Sequence, residues 1–140
     1  MTALSNDRNT RRRDGEIFSD PVAAGVLIRI GALVCLNAAG NAVPGATATG
    51  LTARGVAWGR VDNTGGSAGD ARVETEAGVF RFANSAGGDE ITRADIGADA
   101  WIVDDQTVAK TGAPVETVPT RSTAGRIVDI DSAGVWVAIA

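Results

Sequence analysis

Val26-Leu27-Ile28-Arg29-Ile30-Gly31-Ala32-Leu33-Val34-Cys35-Leu36 alternates its side chains in steps of two. In an extended chain the even positions Val26, Ile28, Ile30, Ala32, Val34 and Leu36 share one face. The odd positions Leu27, Arg29, Gly31, Leu33 and Cys35 share the other. This predicts a strand pair, or one long strand bent at Gly31. Short apolar runs punctuated by glycine continue to Ala140, so the expected fold is all-β: a small β-barrel or β-tulip-like sandwich with one short helix. The expected organisation is an extended N-terminal arm over residues 1–24 and a single β-rich domain over residues 25–140.

Working outward, Asn37 to Asn41 and Pro44-Gly45 carry turn chemistry, and a loop of small residues runs to Gly50. A strand is expected near Leu51 to Asp62, crossed closely by another backbone at its glycines. Asp62 to Asp70 reads as a plain exposed loop. Between Ala71 and Ala83 the apolar parity switches from Val73, Thr75, Ala77 and Val79 to Phe80 and Phe82, which predicts a β-bulge at Gly78. Thr92-Arg93-Ala94-Asp95 has the spacing of a helix cap and predicts one to two helical turns ended by Gly97. Ala100 to Val103 is a short strand and Asp104 to Thr123 a long irregular connection. Gly125 to Asp131 and Val135 to Ile139 are strands joined by an Asp131–Gly134 hairpin turn, the last of them expected to be covered on both faces.

Residues 1–20 are polar, and Asp20-Pro21 favours an extended conformation. Their four arginines offset four carboxylates, which suits a solvated or partner-bound arm better than a DNA-binding one. The net charge of −4 argues against a general nucleic-acid surface. Neither a secretory signal nor a membrane span is expected. With no histidine and one cysteine, the usual nucleophilic triads are missing. Cys35, in apolar surroundings, is expected to be a buried small hydrophobe.

Other motifs yield bland readings. Lys110-Thr111-Gly112 lacks the serine and second lysine that penicillin-binding chemistry needs. Asp104, Asp105, Asp129 and Asp131 are the candidate carboxylates for glycoside or calcium chemistry, but turn roles suit them better, because no acidic ligand follows Gly134. Gly65 to Gly69 precedes a strand, not a helix, so it is no phosphate cradle. Trp58, Trp101 and Trp136 are expected in the core, with a sugar platform as the rival. No catalytic residue, metal site or cofactor is expected. The chain reads as a binding or building part, not an enzyme.

Seven segments carry a family resemblance: Asp7-Arg-Asn-Thr10 with Arg13-Asp-Gly15, Leu36-Asn-Ala-Ala-Gly-Asn-Ala-Val-Pro44, Arg60-Val-Asp-Asn63, Gly78-Val-Phe-Arg-Phe-Ala-Asn84, Asp95-Ile-Gly97, and Asp104-Asp-Gln-Thr-Val108. Across nearly the whole chain they resemble small capsid decoration, or cement, and minor head proteins encoded beside the major capsid gene in Mu-like tailed phages and prophages. The resemblance implies a structural virion protein, made in the host cytoplasm, that binds the outer capsid surface and stabilises contacts between major capsid subunits. Its partners would be the major capsid protein and further copies of itself, commonly as a homotrimer, with no nucleic acid or membrane. Within that frame the expected contacts are Arg11, Arg12 and Arg13 toward acidic capsid residues, with Ile17 and Phe18 as anchors. An exposed strand edge extended by a partner's strand is a further expected mode. A head-completion or tail-associated ring is the alternative, and a carbohydrate-binding β-module the rival of a different class.

Overall fold

A computed structural model describes residues 2–11, 15–115 and 118–140. Twelve strands run in the order β1 (Ile17–Pro21), β2 (Leu27–Ile28), β3 (Leu33–Leu36), β4 (Ala42–Pro44), β5 (Thr52–Ala57), β6 (Val61–Asp62), β7 (Arg72–Glu76), β8 (Gly78–Asn84), β9 (Asp99–Ile102), β10 (Thr107–Ala109), β11 (Thr123–Asp131) and β12 (Gly134–Ile139). The fold is all-β, as expected. Five strands close a barrel in the order β10-β8-β12-β11-β9, five more form a sheet ordered β1-β7-β5-β3-β4, and β2 pairs with β6. The barrel closes because β10 pairs parallel with β8 and antiparallel with β9.

Two apolar clusters fill this frame. The barrel cluster includes Phe82, Ile91, Ile102, Val108, Ile127, Val135 and Val137, and the second includes Val22, Ile28, Val34 and Val73. β3 belongs to both, since Leu33 and Cys35 join the barrel cluster while Val34 joins the other. A strand buried on both faces must be apolar at every position, and Leu33-Val-Cys-Leu36 is. The bend expected at Gly31 is the turn between β2 and β3, where its φ of +82° suits glycine. Ile30 departs from the alternation and is exposed, because it sits in that turn.

Several expectations need correction. The parity switch at Gly78 is no bulge: it is where the chain leaves β7, which faces the second cluster, and enters β8, which faces the barrel. The expected helix near Thr92 is a single 3₁₀ turn, Arg93–Asp95, preceded by another at Gly87–Asp89. Its cap is real: the Asp95 carboxylate accepts the Thr92 N–H at 2.8 Å, yet Gly97 donates to the Ile127 carbonyl and ends the turn there. β12 is buried on one face only, with Trp136 and Ala138 half-exposed. The close crossing on β5 falls at Gly55, where a Cβ would meet the Glu76 carbonyl, whereas Gly59 is open.

The Asp62–Asp70 loop is organised by a buried side chain. Asn63 donates from Nδ2 to the carbonyls of Ala23 and Ser67, both at 3.0 Å, and its own carbonyl accepts from Gly25 and Gly66. This loop therefore clamps the residues that follow β1.

Cys35 is fully buried, and burial pushes its thiol up to about 12 from an ordinary 9.0. Above pH 9 the unfolded chain releases this proton while the folded chain keeps it, so stability falls as pH rises from about 9 to about 12. The expected slope is about 1.4 kcal/mol per pH unit. Cys35→Ala is expected to remove that slope in denaturation midpoints taken across the range. An unchanged slope would mean that other groups set it.

Candidate functional site: the open edge of the first strand

The stretch expected as an arm over residues 1–24 divides in two. Residues 2–11 are exposed throughout, whereas Ile17–Pro21 is a strand of the sheet and Val22 is fully buried. β1 pairs antiparallel with β7 in the register Ile17↔Glu76 through Pro21↔Arg72. Ala77 donates to the Glu16 carbonyl and Val22 to the Ala71 carbonyl, so residues 16, 18, 20 and 22 bond toward β7. The same alternation turns the main-chain groups of Ile17, Ser19 and Pro21 outward; among the described residues only β4 reaches that side, at its far end, where Ala42 bridges Val22 and accepts the Ala23 N–H.

Half of that edge is guarded. Pro21 has no N–H to offer, and the Arg72 guanidinium reaches round to the Ser19 carbonyl at 2.7 Å and to its hydroxyl at 3.1 Å. Among the described residues, what remains open is the N–H and C=O of Ile17 and the N–H of Ser19. On the face of Ile17 lie two carboxylates, Glu74 and Glu76, and two exposed apolar groups, Ile17 at 45% and Trp58 at 49%. Glu76 joins the two: it is the register partner of Ile17, and its carboxylate accepts the Trp58 indole N–H at 2.8 Å.

The inner face of β1 is locked down. The Arg54 guanidinium sits 3.6 Å from the centre of the Phe18 ring and donates to Asp20 at 2.8 and 3.1 Å through two nitrogens. A planar fork can stack and bind bidentately at once, which an ammonium cannot. Phe18 is thus held by its own fold, while Ile17 faces outward. The two expected anchors lie on opposite faces of one strand. Arg11 is exposed before that strand; Arg12 and Arg13 lie outside the described residues.

Of the candidate carboxylates, Asp104, Asp129 and Asp131 take local structural roles, and Asp105 acts through its main-chain carbonyl, which accepts the Leu33 N–H. Asp104 accepts the Gln106 N–H at 2.9 Å, and Asp129 faces Arg93 at 3.5 Å. Asp131 closes the hairpin turn and is held below the usual carboxylate range, first by the Trp136 indole N–H and then by the Ala133 N–H. Among the described residues no group of three or more His, Cys, Asp or Glu side chains is placed to hold a metal ion. None of the tryptophans is fully buried: Trp58 is exposed, Trp101 lies against Gly112, and Trp136 carries Arg81 5.7 Å above its ring.

Sequence reading missed Arg54, Arg72 and Trp58 as parts of this edge. Pro21 was the available signal, since proline within a strand marks an edge. No described helix is long and apolar enough to cross a membrane. Comparison with family models, curated proteins and solved structures finds no match.

Proposed function

We propose that this chain is a structural protein of the phage head, a decoration or cement subunit on the outer capsid surface, and not an enzyme. The resemblance of the seven quoted segments suggests the class. The observation that carries the reading is the exposed stretch of residues 2–11 leading into an open strand edge. A closed barrel joined to a sheet with an open edge and an exposed strap is suited to bridging subunits of a lattice. A ligand that binds only the assembled shell stabilises it by mass action, and many weak contacts repeated by symmetry add up. Arg11 and its neighbours Arg12 and Arg13 would meet acidic capsid residues, and Ile17 would be the apolar contact. The acidic remainder, nine positive against thirteen negative charges over residues 21–140, keeps such a surface off DNA.

The first test is copy number, by quantitative mass spectrometry of purified particles against the major capsid protein. Hundreds of copies in near-integer ratio to capsomers are expected. A dozen or fewer would favour a head-completion or tail ring, and absence from particles would overturn both. Co-sedimentation of a chain lacking residues 2–11 with undecorated shells then tests the strap. That deletion spares β1 and its Asp20–Arg54 pair.

One observation favours the carbohydrate-binding reading: Trp58 presents half of its surface to solvent with its indole N–H fixed by Glu76. Tryptophan fluorescence during glycan titration separates the two readings, and a saturable shift abolished by Trp58→Ala would support sugar binding.

A further inference from the structure

We propose that the open edge of β1 takes, as an added strand, the N-terminal segment of a second copy of this chain, so that the protein associates by exchanging residues 2–11. The edge offers three main-chain groups, the N–H and C=O of Ile17 and the N–H of Ser19, and main-chain bonding is the source of affinity in strand addition. Its surroundings specify the occupant. The exposed side chains of Ile17 and Trp58 call for an apolar residue, and Glu74 and Glu76 on the same face call for basic ones.

Residues 2–11 supply both. Leu4 is 72% exposed, and Arg8 and Arg11 outnumber Asp7. Among the described residues their one main-chain bond is the local one from Thr10 to Arg8, so the segment brings hydrogen-bonding groups of its own. Fully extended it spans about 30 Å, longer than the roughly 16 Å of the five-residue β1. Each copy carries one edge and one segment. Exchange is therefore self-complementary, and closes a dimer or a small ring according to the angle between copies.

The edge and the segment can be broken separately. Ser19→Pro removes an outward N–H that plays no part in pairing with β7, a place where a sheet tolerates proline. Deletion of residues 2–11 removes the donor and leaves the edge. By analytical ultracentrifugation from micromolar to submillimolar concentration, the full chain is expected to associate and each variant alone to stay monomeric. A mixture of the two is expected to form a one-to-one complex, because the deletion variant keeps an intact edge and Ser19→Pro keeps an intact segment. Glu74→Lys, an exposed change that leaves the backbone alone, is expected to weaken association severalfold, as is raised salt.

A monomeric full chain, or association that survives the deletion, overturns the exchange. So does failure of the mixture when circular dichroism shows Ser19→Pro folded; if that variant is unfolded, the Glu74→Lys result decides. No shells enter these measurements. A monomer found in hundreds of copies on particles would sink the exchange and leave the decoration reading standing, and the reverse pattern would do the opposite.

Discussion

Leu33→Ala is expected to lower the unfolding free energy by about 3 kcal/mol, within the range for emptying a fully buried leucine site. Leu33 has no exposed surface and sits in the barrel cluster, although its strand belongs to the neighbouring sheet. Its backbone cannot close in on the void. β3 is pinned by β4 on one side and β5 on the other, and the Leu33 N–H donates to the Asp105 carbonyl at 2.8 Å. Val34→Ala, which empties a smaller site in the other cluster, is expected to cost about 2 kcal/mol. Because one strand serves both clusters, both variants should shift a single cooperative transition in chemical denaturation. Two transitions, each moved by only one variant, would show that barrel and sheet are independent units. For a domain of ordinary stability, about 5–15 kcal/mol, either loss is a large share.

The sharing of β3 was not legible: Leu33-Val-Cys-Leu36 and Val135-Trp-Val-Ala-Ile139 are equally continuous apolar runs, yet only the first lies between two clusters. The all-β class was legible, because alternation and glycine punctuation are local properties. What escaped was non-local. β1 pairs with a strand that follows it by more than fifty residues, and its composition, Ile-Phe-Ser-Asp-Pro, is that of a loop until Arg72 and Arg54 are in place. β4 and β10 are three residues each, too short for a period, and β10 exists as a strand because β8 and β9 hold it. The parity switch at Gly78 was visible, but parity alone does not tell a bulge from a change of core.

The tryptophans failed in the opposite direction. An indole in an apolar strand reads as core, yet Trp58 and Trp136 each donate to a carboxylate, Glu76 and Asp131, and so stay at the surface with their polar atom satisfied. Of the expected contact residues, Ile17 kept an outward position and Phe18 did not. Their adjacency decided that, since neighbours in a strand must face opposite ways.

Arg54 holds the inner face of β1 through Phe18 and Asp20, and its removal is the second large effect. Arg54→Ala deletes both bonds to Asp20, whose side chain keeps only 12% of its surface, and uncovers the Phe18 ring. Breaking a buried pair from one side leaves a desolvated charge and costs several kcal/mol. Here the arginine is 28% exposed and water can reach part of the site, so about 2–3 kcal/mol is expected. The loss should be local before it is global. The amides of Phe18 and Asp20 bond toward β7 and should lose hydrogen-exchange protection first, whereas those of Ile17 and Ser19, already outward, should change little. Arg54→Lys restores charge but neither the bidentate bond nor the flat stacking surface, and should recover only part of the protection. Full protection of Phe18 and Asp20 in Arg54→Ala would mean that β7 alone holds β1. Loss of protection together with loss of self-association would tie the interaction edge to the guanidinium on the strand's inner face.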